Sequence, residues 1–202
     1  ATTARFRQPR GAAVDPFGNV YIADTGNHVI RKVTVSGVAT TLAGSGVAGS
    51  LDEQGILAQF NAPQGVAVDA FGNVYVADTG NHVVRVVSPA GLVTTLAGMA
   101  GSKGSADGTG SNARFSQPRG VALDAQGFLY VADTGNFALR KVSSAGVVTT
   151  LAGLPGVSGA VDGLGTGARF TSPGALTVEG TSGLVLADAH AIRRVSFAGA
   201  VS

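Results

Sequence analysis

Cysteine is absent from the 202 residues, which removes disulfide frameworks, thiolate metal sites and cysteine nucleophiles from consideration. Tryptophan is absent too, and aromatic residues are only 6% of the chain. Stacking residues such as tyrosine and tryptophan are not interleaved with the arginines, so a stacking platform for RNA is not expected. Charged residues are scarce at 13%, and the net charge of +2 is no more than a solvated, mildly basic surface requires, so a nucleic-acid partner is not expected. Long hydrophobic runs are missing as well. The apolar stretches are strand-length and end at Gly, Asp or Thr, so neither a membrane span nor a secretory segment is expected. Cysteine usage leaves the compartment open, with an extracellular or cell-surface setting preferred.

What is present is apolar and glycine-rich. Hydrophobic residues reach 45%, too many for a disordered chain, and the 31 glycines interrupt any long helix. The pattern that organises the chain is Ala77-Asp78-Thr79-Gly80-Asn81-His82, which recurs at Ala23, at Ala132 and, shortened to Ala-Asp-Ala-His, at Ala187. The spacings are 77−23 = 54, 132−77 = 55 and 187−132 = 55 residues. A fixed period of that size marks stacked supersecondary units. The units are 4–57, 58–112, 113–167 and 168–202, in a single domain or segment with no linker between them.

The second unit shows what one repeat builds. Phe60 and Pro63-Gln-Gly65 lead into Val66-Ala-Val-Asp69, then Ala70-Phe-Gly72-Asn73 turns the chain into Val74-Tyr-Val-Ala-Asp78. Two β-branched and aromatic runs across a Gly-Asn turn predict a hairpin. Thr79-Gly80-Asn81 and Pro89-Ala-Gly91 are further turns, and they predict a third and a fourth strand. The strands are apolar at nearly every position, as in a sheet covered on both faces. Four-stranded antiparallel meanders that cover one another describe an all-β fold, a β-propeller of about four blades with the last one incomplete. The fourth unit has only Gly199-Ala-Val-Ser202 for its outer strand, so Val195 and its neighbours are expected to present an unpaired edge that invites self-association.

The motifs Pro-x-Gly-Val-Ala-Val-Asp, Gly-Asn-Val-Tyr-Val-Ala-Asp-Thr-Gly-Asn-His-Val-Val-Arg and Thr-Thr-Leu-Ala-Gly closely resemble the NHL-repeat family of β-propellers. The resemblance covers nearly the whole chain, and the fourth unit departs from it, with Val185 in the tyrosine position and Glu179 in place of an aspartate. It implies a propeller of about six blades that serves as a platform for protein or RNA partners, or, in a minority, a lyase with a metal in the channel.

Asp24, Asp78, Asp133 and Asp188, with Asn27, Asn81 and Asn136, read as turn residues that bond their own backbone rather than as catalytic carboxylates. Arg31, Arg85, Arg140 and Arg193 recur on third strands, where buried guanidinium groups need turn aspartates or carbonyls as partners. His28, His82 and His190 lie one per blade on outer strands, a poor arrangement for a metal, and no metal or cofactor is expected. Asp107-Gly-Thr-Gly-Ser-Asn112 lacks the alternating acids of a calcium loop and reads as a flexible turn. No segment satisfies a phosphate loop or a serine nucleophile elbow, so no catalytic residue is named. Binding is expected on the end that carries the long loops, through Arg5, Arg10, Arg114, Arg119, Arg169 and Lys103, with Arg7 nearby. These could ring a channel mouth and hold a carboxylate or phosphate of a small anionic ligand. The functional expectation is a non-enzymatic binding or scaffold module with a protein partner or its own copies. The alternative is a lyase or lactonase-like enzyme at the arginine-lined mouth.

Overall fold

The computed structural model describes residues 4–202. Blade 1 contains β1 (Pro9–Val14), β2 (Val20–Asp24), β3 (Val29–Val33) and β4 (Ala39–Ala43), and blade 2 contains β5 (Val66–Val68), β6 (Val74–Asp78), β7 (Val83–Val87) and β8 (Val93–Ala97). A short β9 (Gly108–Thr109) precedes blade 3, made of β10 (Pro118–Leu123), β11 (Leu129–Asp133), β12 (Ala138–Val142) and β13 (Val147–Ala152). Likewise β14 (Gly163–Leu164) precedes blade 4, made of β15 (Pro173–Glu179), β16 (Gly183–Asp188), β17 (Ala191–Val195) and β18 (Ala200–Val201). Every blade is an antiparallel meander in chain order, and the four are arranged as a β-propeller with the first strand of each blade innermost.

The hairpin between the first two strands is held by an aspartate. Asp69 Oδ1 accepts the backbone N–H groups of Phe71 at 2.9 Å and Asn73 at 2.8 Å, and Asp15 and Asp124 repeat the arrangement. Gly72 turns the chain at φ +84, a conformation glycine adopts without steric cost. Tyr21 and Tyr130 reach back from the second strand and donate their hydroxyls to Asp15 and Asp124 at 3.2 and 3.0 Å.

Three cores lie between consecutive blades. Tyr21, Ala23 and Ile30 of blade 1 meet Phe60, Val74 and Val76 of blade 2, and the same positions meet again between blades 2 and 3 and between blades 3 and 4. Phe60, Phe115 and Phe170 are completely buried, and each contributes on the order of 1.5–3 kcal/mol of burial. Two faces stay uncovered. On blade 1, Phe6 is 38% exposed, where the three equivalent phenylalanines are at 0%. On blade 4, Ile192 is 71% exposed, whereas its equivalents Ile30, Val84 and Leu139 are at 0%.

Two expectations are corrected here. The edge of blade 4 is not open: Val195 pairs with Val201, Arg194 and Ser202 exchange backbone hydrogen bonds at 2.8 and 3.0 Å, and β14 adds a further strand outside β18. The segment 107–112 is not a flexible turn either. Its Gly108 and Thr109 form β9 and pair with β13, and Gly110–Asn112 closes a 3-10 turn whose Gly110 N–H bonds Gly146 O at 3.0 Å. The long connections are therefore fastened along the outer edge of the next blade. Among the described residues no helix is long and apolar enough to cross a membrane.

Candidate functional site

The second strand of each blade ends in the recurring aspartate, and the following Thr-Gly-Asn forms one 3-10 turn closed by a residue with positive φ: His28 at 56, His82 at 62 and Phe137 at 56. The aspartate is buried and accepts from three directions. Asp78 receives the Asn61 N–H at 2.8 Å, the Asn81 side-chain amide at 2.7 Å and Arg85 Nη1 at 3.0 Å. Asp133 receives Ser116 N–H, Asn136 and Arg140 at 2.7, 2.7 and 2.8 Å. Burial pushes both carboxyls up to about 6, against the opposing pull of those donors. Each guanidinium also lies over the blade's phenylalanine, Arg85 at 5.2 Å from the Phe60 centroid and Arg140 at 5.4 Å from Phe115.

The second partner of each arginine comes from the connection that enters its blade. Arg85 Nη2 bonds Leu51 O at 3.1 Å and the Asp52 carboxylate; Arg140 Nη2 bonds Ala106 O at 3.1 Å and Asp107 Oδ1 at 2.7 Å; Arg193 Nη2 bonds Asp162. The carboxylate of Asp52 continues to Thr95 N and Oγ1 at 2.9 and 3.2 Å, and Asp107 to Thr150 N and Oγ1 at 3.2 and 3.0 Å. Arginine thus ties two acids to one strand, with its own side chain and the turn aspartate buried and the outer aspartate partly exposed.

Threonine and histidine turn out to fasten blades, roles that the sequence reading did not assign. Thr25, Thr79 and Thr134 donate their hydroxyls to the carbonyls of Pro63, Pro118 and Pro173 in the next blade, at 2.6, 2.7 and 2.6 Å. His28 and His82 accept, at Nδ1, the backbone N–H of Ala62 and Gln117, both at 3.0 Å. Burial and then the positive charge of Lys103 hold His82 below the usual histidine range, which keeps that nitrogen free to accept. The repeat period of threonine was the available signal. Among the described residues no group of three or more histidines and acids could hold a metal.

The predicted arginine ring is only partly assembled. Arg10 and Arg119 line a cavity of about 610 Å³ on the propeller axis with Gln8, Gln64 and Gly174. Arg114 instead turns onto the carbonyls of Ser111 and Ala113, and Arg169 onto those of Thr166 and Ala168, at 2.5–2.7 Å. Arg7 lines a different cavity, on the uncovered face of blade 1, and Arg5 and Lys103 are exposed away from both. The cause is the tight 3-10 turn before each first strand, whose free carbonyls lie within reach of the guanidinium.

Comparison with known proteins agrees with the repeat. The chain matches the NHL repeat over residues 6–33 and 60–87, and the teneurin NHL domain over residues 99–160. It is 33% identical over 151 residues to NHL repeat-containing protein 2 of Homo sapiens, covering 68% of this chain and 21% of that protein. The chain therefore spans about a fifth of the length of that relative. A structural genomics protein of unknown function from Bacteroides thetaiotaomicron superposes with a TM-score of 0.75 at 24% identity, over 96% of this chain and 46% of the other. A streptogramin B lyase superposes with a TM-score of 0.69 at 13% identity, over 99% of this chain and 55% of the other, a likeness of fold alone.

Proposed function

Because the chain belongs to the NHL-repeat family of β-propellers, we propose that it is a non-enzymatic binding module that meets a protein partner through the face carrying the long connections. The observation that supports this reading is how the polar residues are used. In blades 2 and 3 the recurring Asp, Arg and Thr side chains, with His82, the groups that acid–base or metal chemistry would draw on, are committed to fastening strands and blades. The long connections also expose apolar side chains, Val47, Leu51, Ile56, Leu57, Val157, Val161 and Leu164, among polar ones such as Glu53, Gln54 and Lys103, on loops tied to the blade behind them.

A photo-crosslinker at Lys103, on this face, compared with one at Ser36, in a strand turn of blade 1, tests the reading. Capture of one discrete protein from Lys103 and not from Ser36, reduced by Ile56→Asp with Leu57→Asp, is the expected result. The lyase or lactonase-like alternative would replace it if the chain turned over a carboxylate or lactone substrate and lost that activity in Arg119→Ala.

A further inference from the structure

The three interfaces between consecutive blades are filled unequally on the end that carries the short turns. Tyr21, Tyr75 and Tyr130 are one position of the repeat (21+54 = 75, 75+55 = 130), and each packs towards the next blade. Tyr21 and Tyr130 are buried, and two groups attend each of them. The first is a lysine of the same blade. Lys32 pairs with Tyr21 across β2 and β3 and holds its Nζ 5.3 Å from the ring centroid; Lys141 pairs with Tyr130 across β11 and β12 and lies at 5.9 Å. The second is a ring from the outer turn of the next blade. Phe197 stacks on Tyr130 with centroids 5.6 Å apart. Pro89 and Tyr21 close on one point beside Gly72, where a Cβ would lie 3.3 Å from Pro89 Cγ and 4.0 Å from Tyr21 Oη.

Tyr75 has neither. Its partner across β6 and β7 is the uncharged Val86 (32+54 = 86), and the turn residue that blade 3 offers it is Ser144 (89+55 = 144). At Gly127 (72+55 = 127) nothing among the described residues lies within 4 Å of a Cβ. The missing groups leave a cavity of about 490 Å³ between blades 2 and 3, lined by Asp69, Phe71, half-buried Tyr75, Asp124, Gly127 and Ser144 among others. Phe71 stands 84% exposed at its hairpin tip. The formal charges on the lining are the carboxylates of Asp69 and Asp124. Two aromatic rings beside two carboxylates favour a cation with an apolar body, and the volume is that of a small-molecule site.

We propose that this cavity binds a small organic cation carrying an aromatic ring, an arylalkylammonium. Its ring takes the place that Pro89 and Phe197 fill at the other two interfaces, and its ammonium lies over Tyr75 as Lys32 and Lys141 lie over their tyrosines. Both walls belong to blades 2 and 3, and the cavity opens on the end opposite the long connections, so this site and the protein-binding face can fail separately.

The test titrates the nitrogen-15-labelled chain with 2-phenylethylammonium and follows the amide shifts of Phe71 and Gly127. Saturation with a dissociation constant of about 1 mM or tighter is expected. Butylammonium, which lacks the ring, and phenylacetate, which reverses the charge, are each expected to bind at least about threefold more weakly. Two substitutions that copy other blades close the site from the protein's side. Ser144→Pro copies Pro89 and Val86→Lys copies Lys32, so each places a side chain that the same position already holds elsewhere in the fold. Each is expected to weaken binding at least about threefold. Absence of saturable shifts, equal affinity for butylammonium or phenylacetate, or affinity unchanged in both variants overturns the proposal.

Discussion

Arg85 and Asp78 meet at 3.0 Å with neither side chain exposed, and Asp52 closes the other side of the same guanidinium while its own side chain stays 42% exposed. The two carboxylates therefore do unequal work. Asp78→Ala leaves Asn61 N–H and Asn81 without their acceptor and a buried arginine with one solvated partner, and is expected to cost about 3–5 kcal/mol. Asp52→Ala removes a screened partner and is expected to cost about 1 kcal/mol. Urea unfolding of the two variants checks this; equal losses would show that burial does not set the strength of these pairs.

The same burial makes stability depend on pH with a definite sign. Asp78 and Asp133 are raised in the fold from an ordinary value of 3.8 to about 6. A raised acid binds its proton more tightly folded than unfolded, so the stability it contributes is fully present below 3.8 and is lost as pH rises through about 6. Between those values folding should take up protons at these two sites. Carbon-13 titration of the aspartate carboxyls is expected to show two midpoints near 6; midpoints near 3.8 for both residues would refute the argument.

How much of this was legible in the sequence follows from what a repeat can carry. The strands, their turns and the propeller architecture could be read because strands apolar at nearly every position specify a sheet covered on both sides, and the unit recurs every 54 or 55 residues. The expectation that the recurring aspartates bond the backbone of their own turn is corrected, since Asp78 and Asp133 accept the N–H groups of Asn61 and Ser116, 17 residues earlier, but that the recurring arginines seek them was legible too. The arginines at the axis were not. Arg114 and Arg10 look alike in a string of letters, but a 3-10 turn places the Ser111 carbonyl within reach of one and leaves the other over the central cavity. The edge of blade 4 was misread for a related reason. Its last strand is short, and strand pairing from Gly163 and Leu164, which the sequence shows only as a glycine-rich loop, covers it.

The last prediction concerns how closely the inner strands approach. Gly11, Gly65 and Gly120 occupy one position in blades 1 to 3, and a Cβ there would fall 2.3, 2.2 and 2.2 Å from the carbonyl oxygens of Gln64, Arg119 and Gly174 in the next blade. Backbone lies against backbone at that point, so the neighbouring strand itself would have to move. Blade 4 has Ala175 at the same position, exposed, and it also has Ala189 where the other blades have the fastening threonine and Val185 where they have tyrosine. Whatever seats on that face of blade 4 meets a methyl group where the inner blades meet none. Gly120→Ala is expected to destabilise by about 1–3 kcal/mol through overpacking, and Gly65→Ala by a similar amount. Ala175→Gly, which relieves nothing, is expected to lose no more than about 1 kcal/mol, the ordinary cost of glycine in a strand. The comparison separates close approach from propensity, because an ordinary glycine in a strand gains stability when replaced by alanine. Urea unfolding in which Gly120→Ala is as stable as the parent would mean that the blades can part at the axis without cost.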